Sequence, residues 1–237
     1  MTFDIQMIQK AKNPVVIAGS GTWQSGAELE LKAFIEKTGM PLFTSLSGRG
    51  VVSDDHPLCF EGAIAIRPGC GFTAYFETDL IIILGSRICL YYLFGDIFNP
   101  AAKLVQVDIE AEEIGRNRSV DLPVVSDVKG FLQVCNQLVD NKLEEELTSN
   151  FAPWIGKLTA AQKESKDISQ KEWQSDNIPI HPLRLAKEIN EFMNQKTDIV
   201  VADGGDTTTW MGMTRTMTQP GRYLDYGIFG SLAVWLP

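Results

Sequence analysis

Three apolar runs with almost no polar interruption, PVVIAGSG at 14–21, LIIILGS at 80–86 and KLVQVDI at 103–109, set the strongest limit on how this chain folds. A strand with one face in water alternates apolar and polar residues. Unbroken runs need cover on both faces, as in a parallel sheet with helices above and below it. The segments between them supply those helices. SGAELELKAFIEKTG follows the first run with Leu29, Ala33 and Phe34 at helical spacing, and Gly39 suits a left-handed cap at its end. PLFTS at 41–45 then reads as a second buried strand and CGFTAYFETD at 70–79 as a helix. The alternation predicts an α/β fold built on a doubly wound parallel sheet.

That pattern changes past residue 147. A first domain is expected over 1–147, and the polar stretch 148–178 reads as a linker whose Trp154 and Trp173 pack on a domain surface. Over 179–237 a second βα pattern begins: PLRLAKEINEFMN as an amphipathic helix, TDIVVADGG as a strand ending in glycines, TTTWMGMTRTM as another helix. One or two strands do not make a stable sheet alone, so this second α/β unit is expected to be incomplete.

The formal net charge of -9 opposes a phosphate backbone or an anionic lipid surface, which leaves small molecules as partners rather than nucleic acid or membrane. No segment reaches the roughly 20 apolar residues of a membrane span, and MTFDIQMIQKAKN lacks the basic start and apolar run of a secretory leader. A cytoplasmic protein is the resulting expectation. Cys59, Cys70, Cys89 and Cys135 show no paired metal spacing and read as reduced core thiols.

Ligands of doubly wound sheets lie at the carboxyl ends of the strands, so the residues there are the candidates. Gly19, Ser20 and Gly21 stand between a strand and a helix, where backbone N–H groups meet a phosphate; a tight turn without a ligand is the alternative. Gln24 replaces the third glycine of the dinucleotide fingerprint, and no acid ends the second strand to hold a ribose, which argues against a nicotinamide site. Asp108 either accepts hydrogen bonds from a ribose or ribityl chain or caps a helix beginning near Ala111. Arg87 follows Gly85 and Ser86, and its guanidinium either grips a diphosphate or forms a surface ion pair. Arg49 and Arg67 lie in glycine-containing loops near the same edge. In the second unit, Gly205, Asp206 and Thr207 combine backbone donors with a hydroxyl that suits a diphosphate, or form a plain turn with a cap. His56 and His181 each precede a proline and have no nucleophile or metal-type partner at telling spacing.

The order of segments is more specific than any one of them. AKNPVVIAGSG, PLFTSLSGRGVVSDDHPL, EGAIAIRPG, TDLIIILGSR, AKLVQVDIEAEEIGRN and VVSDVKGFL together resemble the middle domain of thiamine diphosphate enzymes, a Rossmann-like (DHS-like NAD/FAD-binding) fold, over residues 10–140. From Ile180 onward, IHPLRLAKEINEFMN, DIVVADGGDTTTW and YGIFGSLAVWLP are similar to the opening of the cofactor domain in acetolactate synthase and hydroxyacyl-coenzyme A lyase relatives. The resemblance implies FAD, or ADP in the acyl-coenzyme A branch, at Gly19, Ser20, Gly21, Thr44, Ser45, Leu46, Gly85, Ser86, Arg87, Asp108, Ile109, Asp127 and Val128. It implies the thiamine diphosphate tail at Gly205, Asp206 and Thr207, with Leu232 propping the thiazolium in a bent shape. Trp235 and Ala233 depart from the smaller residues usual there.

The magnesium-binding Gly-Asp-Gly motif and the glutamate that activates the cofactor occur nowhere in these residues, so no metal ligand or catalytic residue is assigned. The chain is therefore expected to be a fragment of a thiamine diphosphate-dependent lyase or transferase, inactive alone, whose complete form uses magnesium and is a homo-oligomer. A freestanding FAD- or ADP-binding module and a purely structural domain are the rivals.

Overall fold

The computed structural model describes residues 5–60, 69–194 and 196–225. After α1 (Gln6–Lys10) come β1 (Pro14–Ala18), α2 (Ser20–Gln24), α3 (Glu28–Thr38), β2 (Leu42–Thr44), β3 (Cys59–Phe60), α4 (Cys70–Glu77) and β4 (Leu80–Leu84). Then follow β5 (Lys103–Asp108), β6 (Leu122–Val125), α5 (Val128–Leu138) and α6 (Asn141–Trp173). The strands form one parallel sheet in the order β3-β2-β1-β4-β5-β6. Strand order reverses between β1 and β4, so the crevice of this doubly wound sheet opens at their carboxyl ends.

Each residue of β1 and β4 is buried, as the unbroken apolar runs predict. Successive side chains go to opposite faces. Val16, Ala18, Ile82 and Leu84 meet Leu31, Phe34 and Ile35 of α3 and Phe131 and Leu132 of α5. Val15, Ile17, Ile81 and Ile83 meet Ala74 and Tyr75 of α4, with Tyr92 and Phe98. Gly39 caps α3 at φ 69, the left-handed conformation that its position suggests. Leu29 departs from expectation: it faces solvent at 80% exposure, because Leu31, Phe34, Ile35 and Thr38 carry the buried stripe. The sequence reading does not identify the outer strands β3 and β6. One has two residues, and the other is half exposed and contains Pro123, which an edge strand tolerates.

The stretch read as a linker is helical as far as Trp173. Leu147, Phe151, Trp154 and Leu158 recur along α6 at helical spacing, and the helix passes from one face of the sheet to the other. At the crossing Trp154 Nε1 donates to the Pro14 carbonyl at 3.0 Å. Trp154 thus packs on the first domain as its place in the polar stretch suggests, and the narrow apolar stripe explains why the helix itself leaves so faint a mark in the sequence.

Beyond it lie α7 (Pro182–Phe192), β7 (Val200–Val201), α8 (Asp206–Thr214) and β8 (Tyr223–Leu224). β7 and β8 pair in parallel, and Ala186, Val200, Ala202, Met211, Met217 and Tyr223 form a small core of their own.

Candidate functional site

The turns after β1 and β4 meet backbone to backbone. Gly19 N–H donates to the Leu84 carbonyl at 2.9 Å and Gly21 N–H to the Gly85 carbonyl at 3.0 Å. A Cβ on Gly21 would lie 2.8 Å from Gly85 Cα, and one on Gly19 would strike the Gly85 carbonyl. Glycine is required at both positions by this approach, and Gly85 itself takes φ 52. Ser20 begins α2 at partial exposure, Ser86 is nearly buried, and Thr44 is buried at the end of β2. Ser45 N–H donates to the Ala18 carbonyl at 2.9 Å.

Farther along the edge, the cation and the acid have protein partners. Arg87 Nε lies 3.3 Å from Glu113, which also pairs with Arg116 at 2.7 Å. Asp108 accepts from Glu110 N–H at 3.0 Å, making a turn, while Ile109 stands 75% exposed. Asp127 caps α5 by accepting from Gly130 N–H at 3.0 Å, and Val128 is buried in the core. Burial pushes the thiol of Cys89 up, against the opposing pull of two backbone hydrogen bonds and of the nearby Arg87 charge. The structure thus brings Gly19, Gly21, Gly85 and Ser86 into contact and leaves Asp127 and Val128 in the roles of helix cap and core residue.

In the second unit, Gly205 adopts φ 77 and precedes α8 with no side-chain cap, and Gly205, Asp206 and Thr207 are all exposed. The buried hydroxyl is that of Thr208, which donates to the Asp203 carbonyl at 2.6 Å. His181 caps α7, its Nδ1 3.3 Å from Leu183 N–H, and its ring lies 6.1 Å from that of Trp210. His56 similarly receives Leu58 N–H at 3.2 Å. Arg67, Leu232, Ala233 and Trp235, and the Leu46 side chain, lie outside the described residues. No cluster of three His, Cys, Asp or Glu side chains suited to a metal occurs among the described residues.

Sequence reasoning missed two polar groups beneath the edge. Gln106, fully buried in β5, accepts from Gly115 N–H at 3.0 Å, and Arg118 donates to the carbonyls of Gly95, Phe98 and Asn99 at 2.8, 3.1 and 2.8 Å. The Gln106 bond holds the loop after β5, and the Arg118 bonds tie that loop to the β4–β5 crossover, where Leu93 and Phe94 take positive φ. A lone glutamine in the apolar run KLVQVDI was the visible signal.

Residues 4–135, more than half of the chain, match the family described as "Thiamine pyrophosphate enzyme, central domain". The chain belongs to that family. It is 32% identical to a probable acetolactate synthase large subunit of Methanococcus aeolicus over 98% of this chain and 40% of that protein. Against oxalyl-CoA decarboxylase of Escherichia coli K12 it is 27% identical over 99% of this chain and 40% of the relative. With 2-hydroxyacyl-CoA lyase of Arabidopsis thaliana the identity is 24%, over 98% and 40%. The chain therefore spans about two fifths of the length of these relatives. The six-stranded parallel sheet is the structural counterpart of the thiamine pyrophosphate central domain. No described helix is long and apolar enough to cross a membrane.

Proposed function

We propose that this chain supplies the central domain, and the opening of the cofactor domain, of a thiamine diphosphate-dependent lyase or transferase that acts on 2-ketoacids or acyl-coenzyme A. One observation carries the reading: the exposed, uncapped amino terminus of α8, preceded by Gly205 at φ 77. The first N–H groups of a helix have no partner within it, and the aligned peptide dipoles add positive potential there. Gly205 lets the chain approach with its backbone bare, and Thr207 adds a hydroxyl beside those donors. A diphosphate matches this donor set, and the residues present fit thiamine diphosphate at that end. When bound, the cofactor supplies the electron sink for cleavage or ligation next to a carbonyl. The chain's part is to hold its diphosphate. The substrates are those named for its relatives, and the complete protein is expected to be an oligomer.

Calorimetric titration of the purified chain with thiamine diphosphate and magnesium tests this. Saturable binding, competed by inorganic pyrophosphate and weakened at least about tenfold by Gly205→Val, is the expected result, tenfold being about 1.4 kcal/mol. No heat at millimolar cofactor would discard the reading. The FAD or ADP reading gains no support from the first sheet edge, where the N–H groups of Gly19 and Gly21 are bonded to carbonyls and Arg87 to Glu113. Visible flavin absorbance in the purified chain would restore it.

A further inference from the structure

The loop after β2 reaches out of the first domain and grips α8. Arg49 Nη1 donates to the Gly212 carbonyl at 2.7 Å, and Nη2 donates to the Arg215 carbonyl at 2.6 Å and to Asp54 Oδ2 at 2.5 Å. Asp54 completes the contact from its own backbone, its N–H donating to the Met217 carbonyl at 2.8 Å, while its carboxylate takes Met217 N–H at 2.8 Å. Both side chains are only 12% exposed. An ion pair shielded to this degree is costly unless its remaining donors and acceptors are satisfied, and here carbonyls and an N–H satisfy them. The guanidinium also sits where the helix macrodipole is negative.

The grip extends along the helix. Arg49 lies over the Tyr223 ring, 5.5 Å from its centre, and the Tyr223 hydroxyl donates at 2.8 Å to the carbonyl of Thr208 in the first turn of α8. Gly50, at φ 84, leaves no room for a side chain against the Gln219 carbonyl. The loop of the first domain thus holds the carboxyl end of this nine-residue helix directly and reaches its first turn only through Tyr223.

We propose that Arg49, backed by Asp54, is a positioning residue that fixes α8, and through it the Gly205–Asp206–Thr207 turn, against the six-stranded domain. This rests on the reading of that turn as a diphosphate site. A ligand gains affinity from a site already held in its bound geometry, so cofactor binding depends on a residue roughly 13 Å away along the helix.

The test uses the whole chain carrying Arg49→Met or Arg49→Lys, with two readouts: amide exchange across α8 and in β1 and β4, and the apparent Kd for thiamine diphosphate with magnesium. Arg49→Met is expected to speed exchange of the Trp210–Thr214 amides about tenfold or more and to raise Kd by a similar factor, the scale of losing one charge-assisted hydrogen bond. β1 and β4 stay as in the wild type, and Arg49→Lys falls between. Unchanged exchange in α8 overturns the proposal, as does faster exchange with an unchanged Kd. Should Arg49→Met loosen β1 and β4 too, Arg49→Lys decides by the same two readouts. A wild-type chain that binds no thiamine diphosphate overturns the cofactor reading and the affinity claim together, whereas exchange in α8 separately shows whether Arg49 holds the helix.

Discussion

At Gly19 the backbone runs so close to Gly85 and Ser86 that a side chain has nowhere to go, whereas at Gly26 the space is open and only the φ of 63 asks for glycine. These are different physical demands, and they predict different costs. Gly19→Ala forces two strand-end turns apart and is expected to cost about 3 kcal/mol, at the upper end of ordinary overpacking. Gly26→Ala meets only left-handed strain, roughly 1 kcal/mol. Urea unfolding of the two variants measures the difference, and equal costs would mean that the turns yield. Both glycines were visible in the sequence. Their roles were not, because what separates them is the proximity of Gly85, more than sixty positions along the chain.

Among the elements, α6 shows how little of a helix its sequence announces when the buried stripe is thin. Its 33 residues are largely polar, and Trp154 is buried between helix and sheet with its indole N–H bonded to the start of β1. Trp154→Ala is expected to cost about 3–5 kcal/mol, since it leaves a cavity and strands the Pro14 carbonyl. Trp154→Phe should keep most of the packing and lose about 1 kcal/mol with the hydrogen bond. Thermal melts of both variants would show the order, and a neutral Trp154→Ala would mean that α6 adds nothing to the stability of the sheet. By contrast, β1 and β4 were legible because residues buried on both faces leave an unmistakable apolar run. The short edge strands β3 and β6 carry no such mark.

Across the whole molecule, the thiols report how cooperatively the fold opens. Cys59, Cys70 and Cys135 are buried and Cys89 is half-buried. Burial pushes the Cys135 thiol up to about 12, so almost no thiolate exists near neutrality while the site stays closed. Labelling with a thiol reagent under native conditions should modify Cys89 first, and the other three at the slower rate of global unfolding. Early modification of Cys135 would instead show that α5 opens on its own.

What the sequence determined by itself is the α/β class, the two-sided burial of the central strands, the helix ending at Gly39 and the glycine turns after β1, β4 and β7. All of these are written in periodicities between near neighbours. The tertiary structure alone decided what those turns face. It closed Gly19 and Gly21 onto Gly85, paired Arg87 with Glu113, and sent Arg49 to carbonyls 163 and 166 positions away. A side chain's partner across such a separation depends on how whole elements pack, and no local pattern in the chain encodes that choice.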